Sequence, residues 1–112
     1  MRMALYIMSI FSTQPSVVMS WGVCKFRALQ GNSGIIFHVQ GYKLNGWVKI
    51  VYDEGADLFN VSYLSNQGKI VKEQKGIYFD ELVHTIDEEV EKTQDYHQRV
   101  MQQYGVVVLK RV

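Results

Sequence analysis

Residues 82–92, LVHTIDEEVEK, set His84 among Asp87, Glu88, Glu89 and Glu91, the densest run of titratable side chains in the chain. An imidazole beside several carboxylates could serve as a set of metal ligands or as a general acid–base pair. A metal needs three or four donors converging on one point, with further hydrogen bonds to orient them. A general acid needs a desolvated pocket that moves its pKa. Turned through about 100° per residue, Phe79, Leu82, Val83, Ile86 and Val90 form one apolar stripe. Glu81, His84, Asp87, Glu88 and Glu91 fall on the opposite side, with Glu89 flanking the stripe. A convex, water-facing surface supplies neither convergence nor desolvation. The spacing therefore predicts the wet side of a helix, with His84 and Glu88 paired four residues apart and Glu88 able to reach Lys92.

Other candidates resolve in the same way. Cys24 alternates with Phe26 and Ala28, which predicts a buried, inert thiol. GNSG at 31–34 lacks the Lys-Ser/Thr that completes a phosphate loop. Asp53, Glu54 and Asp57 lack calcium-loop spacing and read as a polar hairpin loop. Asn60-Val61-Ser62 is a formal glycosylation sequon, relevant only in a secretory pathway. No nucleophile elbow, zinc-ligand pair or dinucleotide fingerprint occurs, so neither a cofactor nor a metal nor catalysis is expected.

One constellation remains. Period-two alternation puts Lys25, Arg27, His38, Trp47 and Lys49 on one face of a sheet, mixed with Ile36, Val51, Leu58 and Leu64 and with the polar Gln40, Asn60 and Ser62. Bases beside an aromatic suit single-stranded nucleic acid. Aromatics and arginine around an apolar centre suit a protein interface. The same face could also be covered by the N-terminal segment.

The elements that would position these residues read as follows. VCKFRAL, IIFHVQGY, WVKIVY, LFNVSYL and a charged stretch near KIVKE alternate as strands, separated by GNSG, DEGAD and SNQG. Asn45-Gly46 predicts a type I′ hairpin turn. Thr13, Pro15 and Gly22 mark the cap, first turn and stop of a short N-terminal helix. After Asp80, a candidate N-cap, the period changes to 3.6. The expected fold is α+β: an antiparallel meander of four to five strands packed on a C-terminal amphipathic helix, with a short N-terminal helical segment. Residues 1–12 are expected to be disordered or to lie outside the core, and 106–112 to form a terminal strand.

A helix running from 80 to 104 would be about 37 Å long, longer than a five-strand sheet is wide, at about 20–25 Å. Its second half carries His97, expected at the core edge, and Val100, Met101 and Tyr104, whose overhang is a candidate self-association surface.

Composition bounds the rest. The chain has 112 residues, 47% of them apolar and only one proline, so 1–112 reads as one folded domain. Net charge is +1, but residues 80–95 hold seven acids against one base while 25–75 hold seven bases against four acids. A single cysteine fits a reducing compartment, and a cytoplasmic location is expected. The apolar run Met3–Phe11 resembles a weak signal segment and is too short to span a bilayer. These features predict a small non-catalytic domain that binds a protein partner or a second copy of itself, with no membrane role. The alternative is a module that binds single-stranded nucleic acid on the basic-aromatic face.

Overall fold

The computed structural model describes residues 3–91. In chain order these form α1 (Met3–Phe11), α2 (Pro15–Ser20), β1 (Cys24–Ala28), β2 (Gly34–Gln40), β3 (Asn45–Asp53), β4 (Leu58–Ser65), β5 (Ile70–Ile77) and α3 (Leu82–Val90). The strands make one antiparallel sheet in the order β1-β2-β3-β4-β5, the meander expected from alternation. Among the described residues no helix is long and apolar enough to cross a membrane.

All three helices cover one face of the sheet. Ile35, Phe37 and Val39 of β2, Val48 and Ile50 of β3, and Phe59, Val61 and Tyr63 of β4 point into it. Leu82, Val83, Ile86 and Val90 of α3 meet them from the other layer, as the stripe requires. The N-terminal residues, expected outside the core, instead help to fill it: Ile7 and Phe11 of α1 are buried there. Phe11 packs edge-on to both Trp21 and Phe37, with ring centroids 5.7 and 5.6 Å apart. The apolar run that resembles a signal segment is thus a core helix in this fold.

Helix α2 begins with Pro15 in its first turn and stops at Gly22, which has φ +63°. Its N-cap is Gln14 rather than Thr13, whose hydroxyl donates to Ile10 O at the end of α1.

Helix α3 departs from expectation at both ends. Phe79–Glu81 is a 3-10 turn, so the N-cap is Glu81 rather than Asp80, and Phe79 is 57% exposed instead of joining the stripe. At the other end, Val90 O accepts hydrogen bonds from Lys43 N (2.7 Å) and Leu44 N (3.3 Å). The carbonyl that would bond residue 94 in a continued helix is engaged by the β2–β3 loop, and Glu91 leaves the helical region at φ −127°. The α-helix therefore ends at Val90. His97, Val100, Met101, Tyr104 and the expected strand 106–112 lie outside the described residues.

The same contact explains the misplaced hairpin turn. Gln40 pairs with Asn45 and Val39 with Gly46, so Asn45 and Gly46 are strand residues and the loop is Gly41–Leu44. Gly46 serves a different need: a Cβ there would lie 2.1 Å from Leu64 O. At Gly41 a Cβ would lie 2.4 Å from Val90 Cγ1 and 2.5 Å from Val90 O, so only glycine lets the loop approach the helix end.

Candidate functional site

The acidic run divides. His84 Nε2 and Glu88 form the expected pair at 3.1 Å, both exposed. Glu89 reaches across to Lys72 of β5 at 2.7 Å. Asp87 and Glu91, however, are buried, at 7% and 8% exposure, not wet. Asp87 Oδ1 accepts a hydrogen bond from Trp21 Nε1 (3.0 Å), and Glu91 Oε1 accepts one from Tyr42 N (2.8 Å). They sit four residues apart on the flank of α3 that faces Trp21 and the Gly41–Leu44 loop. Asp87 ties α3 to the end of α2, and Glu91 ties the end of α3 to the β2–β3 loop. Among the described residues no three His, Cys, Asp or Glu side chains converge on a metal position.

The helical side also holds a cleft of about 370 Å³ between α1 and the 3-10 turn, lined by Tyr6, Ile10, Phe79, Asp80 and Val83. Two hydroxyls on its rim are already engaged, Ser9 Oγ with Tyr6 O and Thr13 Oγ1 with Ile10 O.

The opposite face of the sheet brings together most of the residues singled out by alternation. Cross-strand partners share a face, so the register can be read as rows. One row runs Cys24, His38, Trp47, Leu64, Ile70 from β1 to β5. The next runs Arg27, Ile36, Lys49, Ser62, Glu73. Val51 and Asn60 follow as a third pair, and Asp53 with Leu58 as a fourth. No described helix lies on this side, so the N-terminal segment does not cover it.

Lys25 is the exception among the expected face residues. The register shifts between Cys24 and Arg27, and Lys25 has φ +56°. This is a β-bulge, which leaves Lys25 unpaired and puts Cys24, not Lys25, in line with His38. The thiol thus joins the outer face, while Phe26 turns back to pack on Phe37 at 5.2 Å.

His38 is the most enclosed polar group of the outer face, at 9% exposure. Trp47 meets it edge-to-face, with ring centroids 4.8 Å apart. Asn66, in the β4–β5 turn, lies with Oδ1 2.7 Å from His38 Nε2, and its own amide nitrogen donates to Asn45 Oδ1 (3.4 Å). An amide oxygen can only accept, so the contact is a hydrogen bond in the tautomer whose Nε2 carries the proton and donates it to Oδ1. The result is a fixed Trp47–His38–Asn66 group at the end of the sheet. Asn66, Ile70 and Glu73 were not marked by the sequence. Asn66 sits in a turn, and β5 carries register shifts that hide its alternation.

Both sheet edges are blunted. β1 has five residues and the Lys25 bulge; β5 has register shifts on either side of its centre and bears Lys72 and Lys75. Such features hinder strand addition from outside.

Fold and face together define a two-layer α+β domain with its helices on one side and a mixed apolar and charged sheet surface on the other. In comparisons with protein families, curated proteins and solved structures, nothing matches the chain.

Proposed function

We propose that this chain is a non-catalytic protein-interaction domain that binds through the outer face of its sheet. The supporting observation is the row His38, Trp47, Leu64, Ile70, with Ile36, Val51 and Leu58 in the rows beside it, on the side away from all three described helices. An apolar row with an aromatic anchor, beside a row that carries Arg27, Lys49 and Glu73, has the make-up of a protein-binding patch. The fixed geometry of Trp47 lowers the entropy lost when a partner closes over it.

The test compares immobilised wild type with the Trp47→Asp/Leu64→Asp variant, checked for folding by circular dichroism. Apolar contacts resist screening, so at about 0.5 M salt wild type should retain a protein partner, its own copies included, that the variant loses. Equal recovery by both overturns the reading.

The alternative is a surface for single-stranded nucleic acid. It draws on Trp47, partly exposed, standing one row from Arg27 and Lys49. It predicts oligonucleotide affinity that falls linearly with the logarithm of salt concentration and weakens in Lys49→Ala.

A further inference from the structure

On the proposed reading of the outer face as a protein interface, we infer that its partner is a second copy of this chain, packed face to face with the strand order reversed. The row Arg27, Ile36, Lys49, Ser62, Glu73 begins with a cation at the β1 margin and ends with an anion at the β5 margin. A two-fold axis running along β3 preserves each row and reverses its order. It lays β1 of one copy over β5 of the other, and Arg27 over Glu73, twice by symmetry. Face-to-face sheets lie about 10 Å apart, a gap that an arginine and a glutamate span together. The usual rotation of about 30° between packed sheets displaces the margins by about 5 Å, within the same reach.

The axis also sets what meets itself. Trp47 lies on β3 and stacks near its own copy at the centre of the apolar row, beside Leu64 over His38. Lys49, also on β3, faces its own copy in the charged row. That juxtaposition is repulsive, and it gives the arrangement a signature that a nucleic-acid occupant does not share. Removing the Lys49 charge should tighten the dimer, whereas a nucleic-acid surface would lose affinity. Face packing also fits the blunted edges of β1 and β5, which leave strand addition the poorer route to a dimer.

Sedimentation equilibrium of the full chain reads the proposal. Wild type should dimerise. Arg27→Glu or Glu73→Arg should each weaken the dimer about tenfold, since each change turns two attractions into repulsions. The double swap should restore it, and Lys49→Leu should strengthen it. A wild type that stays monomeric, or a dimer indifferent to the swaps, overturns the inference. Replacing Trp47 with benzoylphenylalanine and irradiating then identifies what covers the face. A link between two copies supports the inference. A link to residues 92–112 of the same chain overturns it along with the interface reading, whereas a link to a different protein overturns the second copy and leaves that reading standing.

Discussion

Trp21 Nε1 donates to Asp87 Oδ1 at 3.0 Å, joining the end of α2 to the middle of α3 across 66 residues of chain, with both side chains buried. The bond explains why an aspartate sits on the inner flank of α3. It satisfies an indole N–H that would otherwise be buried without a partner, at a cost of about 1–3 kcal/mol. Asp87→Leu should therefore destabilise the fold by about that amount in urea denaturation. Asp87→Asn, which keeps a carbonyl oxygen in place, should cost less. If the two variants are equally stable, the indole bond is not what holds Asp87.

The Gly41–Val90 contact sets a second expectation. A Cβ at Gly41 meets Val90 Cγ1 at 2.4 Å and Val90 O at 2.5 Å, and the carbonyl cannot move without loosening its bonds to Lys43 N and Leu44 N. Gly41→Ala should lower stability by about 1–3 kcal/mol through overpacking. Gly31→Ala meets nothing within 4 Å and is strained only by φ +72°. Its cost should be about 1 kcal/mol. Thermal or urea unfolding of the pair should rank them in that order.

Burial, with Glu89 nearby, pushes the Tyr63 hydroxyl above its ordinary pKa of 10.0. The hydroxyl also donates to Gln74 Oε1 at 2.7 Å. Below pH 10 the phenol is protonated in both folded and unfolded chains, so stability is unaffected by this group. Above pH 10 the unfolded chain releases the proton first, and stability falls by up to about 1.4 kcal/mol per pH unit. Tyr63→Phe should lose about 1 kcal/mol at neutral pH and unfold less steeply in alkali. An unchanged alkaline slope would show that other groups govern it.

Tyr52 offers a spectroscopic check on the β3–β4 loop. Its hydroxyl donates to Asp57 Oδ1, and that hydrogen bond is the main reason its pKa is pushed up to about 12. Asp57 has φ +58°, a conformation that glycine adopts without strain. Asp57→Gly removes both the acceptor and its charge, and should leave the loop intact while bringing the Tyr52 titration down toward 10.0. Carbon-13 labelling of the tyrosine rings would follow that one resonance; no movement would mean that the loop does not hold the pair together.

Much of the architecture was written in local pattern. Alternation and the switch to a 3.6-residue period gave the meander and α3, because burial on one face imposes those periods directly. What stayed hidden depends on residues far apart. Asp87 and Glu91 look like the rest of an acidic helix until Trp21 and Tyr42 are placed beside them. Asn45-Gly46 has the composition of a turn, but Gly46 is needed for the close approach of β4, and the true turn is set by the end of α3. The bulge at Lys25 exchanges Cys24 for Lys25 on the outer face, and nothing within VCKFRAL announces it. The candidate face was therefore legible in its central residues, His38, Trp47 and Lys49, and obscure at the margins, where Asn66 and Glu73 enter from a turn and from an irregular strand.

The closure of the core by α3 has a consequence for how the chain acquires its fold during synthesis. The sheet pairs only neighbours in sequence, so its hairpins can form as they emerge. Phe37 meets Phe11 early, but the inner face at Ile50, Val61 and Tyr63 waits longer, because Ile86 and Val90 complete its cover and the carbonyl of Val90 locks onto residues 43 and 44. Contacts of such wide sequence separation form slowly. A nascent chain that has not yet released Val90 displays that greasy sheet to its surroundings, and it is this interval, rather than the finished domain, in which a chaperone would be needed.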